Sequence, residues 1–165
     1  MILDFLVLGK MKVDMRYYID GMLKEFPQKM KPTTKSSRTE RLFKVNKDSK
    51  RLEDKKRALF HKIVMKGMFL CKRARSDISP GIGLLASRVK EPTEQDWNKL
   101  VRLLAFLKGT RNDVLTLEAD DSQELAWYID AFFAVHPNMK SHTEAVFFHG
   151  KRDYHTRLYN TEGQC

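Results

Sequence analysis

Asp130 stands in the middle of the run Glu124 to Val135, ELAWYIDAFFAV, which is otherwise almost wholly apolar and reads as a strand. A carboxylate placed in an apolar layer is costly unless a metal ion, a cation or several hydrogen bonds meet it. Asp130 is therefore the candidate catalytic and metal-ligating residue; the alternative is an acid near a strand end that reaches water or a nearby Arg. His136, His142, His149 and His155 recur every six or seven residues. Two strands and a turn would spread them apart and no Cys is interleaved, so zinc is not expected there. Asp120-Asp121, the only adjacent pair of aspartates, sits in a polar turn and is expected in an exposed loop. Neither a nucleophile triad nor a phosphate-cradling glycine loop is present; Gly81-Ile82-Gly83 is too short and too apolar in context to serve.

The second candidate chemistry is electrostatic. The chain has 165 residues and a formal net charge of +10, unevenly placed. Residues 1 to 75 hold 21 Lys and Arg against 8 Asp and Glu, a net of +13, while residues 76 to 165 hold 10 against 13, a net of −3. Such a field favours a polyanion, nucleic acid being the commonest, with binding that weakens steeply as salt rises. The competing reading is a solvated surface that keeps the protein soluble. Within the basic half, Lys55, Lys56, Arg57, Lys62, Lys66, Lys72, Arg73 and Arg75 are the candidate phosphate contacts. The spacing of Arg75 and Asp77 equally suits an ion pair at a helix C-terminus.

Composition excludes other classes. The longest apolar run, Ile2 to Leu8, is interrupted by Asp4 and falls far short of the roughly 20 residues a spanning helix needs, so no membrane partner is expected. It lacks the positive flank of a signal peptide, and Cys71 and Cys165 match no metal-ligand spacing. An intracellular protein with reduced thiols, cytoplasmic or nuclear, is the expectation.

The elements that must position these residues follow from periodicity. Met11, Val13 and Met15 alternate with Lys12 and Asp14, and Gly9-Lys10 turns the chain back from Ile2 to Leu8, giving a β-hairpin. Tyr18, Ile19, Met22, Leu23 and Phe26 repeat at helical spacing before Pro27. Residues 27–54 are rich in Lys, Ser, Thr, Arg and Pro and read as a long basic linker or extended wrap, with Leu42, Phe43 and Val45 an apolar island able to pin it. From Asp54 to Arg75, Leu59, Phe60, Ile63, Val64, Met68 and Cys71 form one stripe opposite the basic residues. Ser79-Pro80 predicts an N-cap and first position for a second helix, with Ile82, Leu85, Ala86 and Val89 inward. Thr93 with Asp96 predicts a capping box for a third, carrying Trp97, Leu100, Val101, Leu104 and Leu107 and ending at Gly109. A short strand at Val114 to Leu117, a main strand at Trp127 to Val135 and an antiparallel return at Thr143 to Phe148 complete an α+β chain.

The motifs Cys71-Lys-Arg-Ala-Arg-Ser-Asp-Ile78, Ser87-Arg-Val-Lys-Glu-Pro92, Asp96-Trp-Asn-Lys-Leu100, Leu107-Lys-Gly-Thr110 and Ala134-Val-His-Pro-Asn-Met-Lys-Ser-His-Thr143, in this order, resemble the C-terminal part of the copia-type retrotransposon reverse transcriptase of a Gag-Pol polyprotein, running into the start of its ribonuclease H domain. Leu3-Asp-Phe5, Gly9-Lys10, Tyr18-Ile19 and Phe26-Pro27 look like the family's hairpin and helix just after the polymerase palm. The resemblance implies four parts: a hairpin and helix over 1–26, the basic linker over 27–54, a three-helix thumb and connection module over 55–110, and an incomplete ribonuclease H-like antiparallel sheet over 111–165.

By the same resemblance Asp130 is the first-strand acid of a ribonuclease H site. In the intact family further carboxylates would join it to hold two magnesium or manganese ions. The next acid in the family follows a segment resembling Thr156-Arg157 and Asn160-Thr161, and this chain is expected to stop short of it, just as Met1 falls where the primer-gripping hairpin is half complete. The resemblance thus implies a fragment of an RNA-directed DNA polymerase and ribonuclease H, catalytically incomplete and without a cofactor of its own. It would keep duplex RNA or DNA backbone binding through its basic first half, with the rest of the polyprotein as a further partner. A non-catalytic basic nucleic-acid-binding protein of transposon origin, or a non-functional relic, is the alternative. Arg75-Ser76-Asp77-Ile78 stands where the family has Arg-Pro-Asp-Ile, and Ser141-His142-Thr143-Glu144 where it has Ser-His-Thr-Gly. These changes, with the tail Arg152 to Cys165, suggest an element decaying without selection.

Overall fold

A computed structural model describes residues 1–33, 42–46, 48–118, 125–132, 142–149 and 155–159, the last three segments as backbone except at Ile129 and Ala131. The chain is α+β, as expected, and it divides into two compact units, Met15–Asp113 and the pair of segments Met1–Asp14 and Val114–Cys165. The four-part division by sequence is regrouped because a strand from one end of the chain pairs with a strand far along it.

The strand unit holds two antiparallel sheets. In the first, β1 (Ile2–Asp4) and β2 (Lys10–Asp14) form a hairpin as expected, but β1 ends at Asp4 instead of running to Leu8, and Gly9 at φ 75° closes the longer turn, a conformation only glycine adopts freely. β3 (Leu115–Glu118) lies against β2, with Val13 opposite Leu115 and Lys10 opposite Glu118. Lys10 and Glu118 also pair through their side chains at 3.2 Å. In the second sheet, β4 (Leu125–Phe132), β5 (His142–His149) and β6 (His155–Tyr159) run in that order. β4 begins two residues before the predicted strand, and residues 133–135 of that prediction lie outside the described residues. β6 arises where the sequence carries no clear strand signal.

The helical unit is built from α1 (Arg16–Glu25), α2 (Asp54–Arg73), α3 (Ser79–Ser87) and α4 (Glu94–Gly109). Their apolar stripes meet in one core: Ile19 and Met22 of α1, Phe60, Ile63, Val64 and Leu70 of α2, Ile82, Leu84 and Leu85 of α3, and Leu100, Leu103, Leu104 and Leu107 of α4 are all buried. α2 and α3 touch so closely at Gly67 that an added Cβ would meet the Ile82 side chain at 2.6 Å. Leu59 and Met68, assigned to the core by periodicity, sit at its edge instead, because Leu70 and Gly67 occupy the centre of the α2 stripe.

The helix starts separate a correct prediction from an incorrect one. At α4 the Asp96 carboxylate accepts from the Thr93 backbone N–H at 2.9 Å while the Thr93 side-chain oxygen accepts from the Asp96 backbone N–H, the capping box foreseen in the sequence. At α3 the predicted Ser79 cap does not form. A turn of 3₁₀ helix, Ser76–Ile78, runs straight into α3 and puts Ile78, fully buried, in the cap position. Burial of Ile78 draws the helix start back by one residue, so the Ser79 hydroxyl ends in the core with no hydrogen-bond partner among the described residues.

The predicted linker is a strap in its described parts. Trp97 Nε1 donates to Gln28 Oε1 at 3.0 Å, Lys108 Nζ to the Met30 carbonyl at 3.1 Å, and the Thr33 N–H to the Ala105 carbonyl at 3.1 Å. Further on, Gln95 Nε2 and Lys99 Nζ donate to the Lys44 carbonyl, and Arg51 bridges Thr93 in antiparallel fashion with the Leu52 N–H on the Pro92 carbonyl at 3.0 Å. Leu42, from the apolar island, and Leu52 are buried. The strap follows α4, whose polar side chains and N-terminal donors supply what extended backbone otherwise lacks.

Candidate nucleic-acid interface

α2 carries seven of the eight cations named as phosphate contacts, and its helical period sorts them. Lys55, Lys62, Lys66 and Arg73 follow one another at intervals of seven, four and seven residues, which keeps them on one side of a helix roughly 30 Å long. Phe69 and Met65 lie on the same side, 44% and 41% exposed. The opposite side holds Phe60, Ile63, Val64 and Leu70, all fully buried, so the basic residues are held outward by a packed face behind them.

The structure shows that most of these cations have local partners. Lys62 Nζ and Lys66 Nζ both meet the Glu25 carboxylate of α1, the first at 2.9 Å. Lys56 Nζ lies 2.7 Å from Glu94 and 4.6 Å from the centre of the Trp97 ring, which in turn stacks on Phe26 at 4.8 Å. Arg57 pairs with Asp54 one turn before it, and the Arg73 guanidinium sits 5.4 Å from the Phe69 ring centre. Lys55 and Lys72 are exposed and form no ion pair among the described residues. Exposed pairs of this kind are worth about 0–1 kcal/mol, so a phosphate can take the place of a carboxylate at little cost.

Arg75 is different in kind. It is 3% exposed, donates through Nε and Nη2 to Asp77 at 2.9 and 2.7 Å, and through Nη1 to the Thr110 carbonyl at 2.9 Å. Its guanidinium also covers the Phe106 ring at 5.6 Å. Arg75 therefore ties the end of α2 to the end of α4 and is withdrawn from the phosphate-binding set; of its two sequence readings, the ion pair is the one formed. A long, planar, always-charged side chain with five donors suits that buried fork better than it suits a solvent-facing contact.

α1 is held to the same face. The Tyr18 ring lies 5.4 Å from Phe69 and its hydroxyl donates to the Lys66 carbonyl at 3.3 Å, while Arg111 clasps Asp20 with both ends of its guanidinium. The Arg111 hydrogen bond holds the Asp20 carboxyl below its ordinary range, and the bonds from Lys66 and Lys62 do the same for Glu25. The Tyr18 hydroxyl is pushed up, first by burial and then by the Glu25 charge. Sequence reasoning passed over Glu25 and Asp20; the signal was there in two acids among the cations of the first half, but their partners lie 41 and 91 residues away.

The buried carboxylate of the described structure is Asp96, with no exposed surface, satisfied by Thr93 and by Arg88 Nε at 3.1 Å from both oxygens. It is a structural group with every partner in place. Asp130 falls in β4 with Glu144 of β5 as its cross-strand partner, and its side chain lies outside what is described. His142 and His149 stand at opposite ends of β5, about 23 Å apart along an extended strand, and His155 begins β6; His136, Asp120 and Asp121 lie outside the described residues. Among the described residues no group of three or more His, Cys, Asp or Glu could hold a metal ion. No helix among them is long and apolar enough to cross a membrane.

Charge follows the two units more sharply than it follows the halves of the chain. Residues 15–113 hold 25 Lys and Arg against 11 Asp and Glu, a net of +14; residues 1–14 with 114–165 hold 6 against 10, a net of −4. No protein-family model matches the chain, and no curated protein or solved structure is significantly similar to it.

Proposed function

We propose that the helical unit binds the sugar–phosphate backbone of duplex RNA or DNA without reading its sequence, as the thumb and connection module of a copia-type reverse transcriptase would. The observation that carries this reading is the net charge of +14 on one compact unit, with Lys55, Lys62, Lys66, Lys72 and Arg73 displayed outward from α2. Lys and Arg at helical intervals track a phosphate backbone, which positions a duplex and carries no base information. The ion pairs to Glu25 and Asp54 organise this surface in the free protein and are weak enough to yield to phosphate.

Polymerase and ribonuclease H activity belong to the proposed parent enzyme. In that reading Asp130 is one carboxylate of a centre that needs several, and the chain by itself acts by binding. Titration of a fluorescent 20-base-pair duplex at a series of salt concentrations is the test. Three to five phosphate contacts predict a slope of log K against log salt of about −3 to −4.5. Absence of binding at low salt, or a flat salt dependence, would overturn the proposal.

A further inference from the structure

Phe69 and Met65 are the two large apolar side chains that α2 leaves exposed, and they sit one turn apart inside its basic stripe. An exposed ring is usual in proteins when it stands alone; this one is framed. Arg73 lies 5.4 Å from its centre on one contact, Tyr18 lies 5.4 Å away at an interplanar angle of 44° on another, and Lys66 and Lys62 precede it by about one and two turns. The Tyr18 hydroxyl donates to the Lys66 backbone carbonyl, which anchors the ring that flanks Phe69.

We infer that this patch is a stacking site for an unpaired nucleobase, with Phe69 as the platform and Lys62, Lys66 and Arg73 holding the adjoining phosphates. The inference rests on the proposed backbone binding and adds a ligand class to it: nucleic acid with a single-stranded segment next to its duplex. Charge complementarity favours that occupant, since the unit carrying the patch has a net charge of +14. Size favours it too. One ring and one thioether cover a base or two, whereas an amphipathic partner helix needs apolar anchors over two or more turns of a groove. Every base has a π-face, so such a platform is tolerant of sequence, as the backbone contacts are.

The full chain would be titrated with a blunt 16-base-pair duplex and with the same duplex carrying an eight-nucleotide single-stranded tail that contains 2-aminopurine. A stacked base predicts about tenfold tighter binding of the tailed molecule, together with a change in 2-aminopurine emission. The Phe69→Leu variant, which keeps an apolar side chain at a half-exposed position, is expected to lose the tail preference and the emission change while binding the blunt duplex as before. Equal affinity for tailed and blunt duplex would overturn this inference and leave the backbone reading standing; failure to bind either would overturn both. Polyglutamate of matching charge displacing the tail as well as unlabelled single strand does would also overturn it, since charge alone would then account for the preference. The emission change in the unaltered protein decides the matter even where the variant folds poorly.

Discussion

The helical unit and the strand unit solve opposite problems. The first is strongly basic and has the well-filled core: four helices converge, and a strap that looks disordered in the sequence is stitched along α4. The second has a net negative charge and, among its described residues, leaves Phe5, Leu6, Val7 and Leu8 exposed around the hairpin turn. In the helical unit, then, cations can crowd the surface because the interior supplies the stability. Around the short hairpin, among the described residues, these apolar side chains stand exposed.

The largest expected effect comes from emptying the helical core. Phe60 has no exposed surface, so Phe60→Ala should cost about 3–5 kcal/mol and broaden or abolish the cooperative thermal transition of the helices. A helical far-ultraviolet signal melting unchanged would mean that the core is not where stability resides. Next is Arg75→Leu, which removes the bonds that a buried guanidinium makes to Asp77 and Thr110; a loss of about 3 kcal/mol in urea unfolding is expected. If the exposed-cation reading of Arg75 were right, the variant would instead keep its stability and lose affinity for duplex. Gly109→Ala should destabilise by about 2 kcal/mol, since the new methyl would meet the Thr33 carbonyl oxygen at 2.2 Å and lever the strap away from α4. Faster hydrogen exchange at Thr33 is the specific sign.

Smaller changes probe the surface. Glu25 and Asp20 have lowered carboxyl values in the fold, so the stability they add is full at neutral pH and is lost as pH falls below the ordinary carboxylate range through those lowered values. Replacing both by the amides should flatten the acid limb of the melting-temperature profile. The Lys55→Gln, Lys72→Gln pair should leave the melting temperature unchanged and make the salt slope of duplex binding shallower by about 2. Smallest of all, Leu8→Ser should alter stability by no more than about 0.5 kcal/mol, because that side chain is 99% exposed. A larger loss would show that the hairpin tip is covered in solution.

The hairpin, the helices and the Thr93–Asp96 cap were legible because each depends on neighbours within a few residues in sequence. The start of α3 was not, since Ile78 had to be buried against other helices before Ser79 could be displaced from the cap. Between a linker and an extended wrap the sequence left the choice open for a similar reason: a run of Lys, Ser, Thr and Pro has no periodicity, and the partners of the wrap, Trp97, Ala105 and Lys108, stand 69 to 78 residues beyond Gln28, Thr33 and Met30. β6 carried no pattern of its own and is defined by pairing with β5.

By itself the sequence determined where the helices run, which face of α2 is apolar and which is basic, and that the cations are concentrated early in the chain. These follow from local periodicity and from counting charges. Only the tertiary structure decided which cations stay on the surface. Arg75 and Lys72 are alike in a sequence, yet the turn after α2 places one beside Asp77 and Thr110 in the interior and leaves the other in solvent. The same is true of the acids, where Asp96 is buried and fully bonded while Glu25 serves two lysines from another helix. A charge acquires its role from the dielectric and the partners around it, and those are fixed by residues that the chain brings together only when it folds.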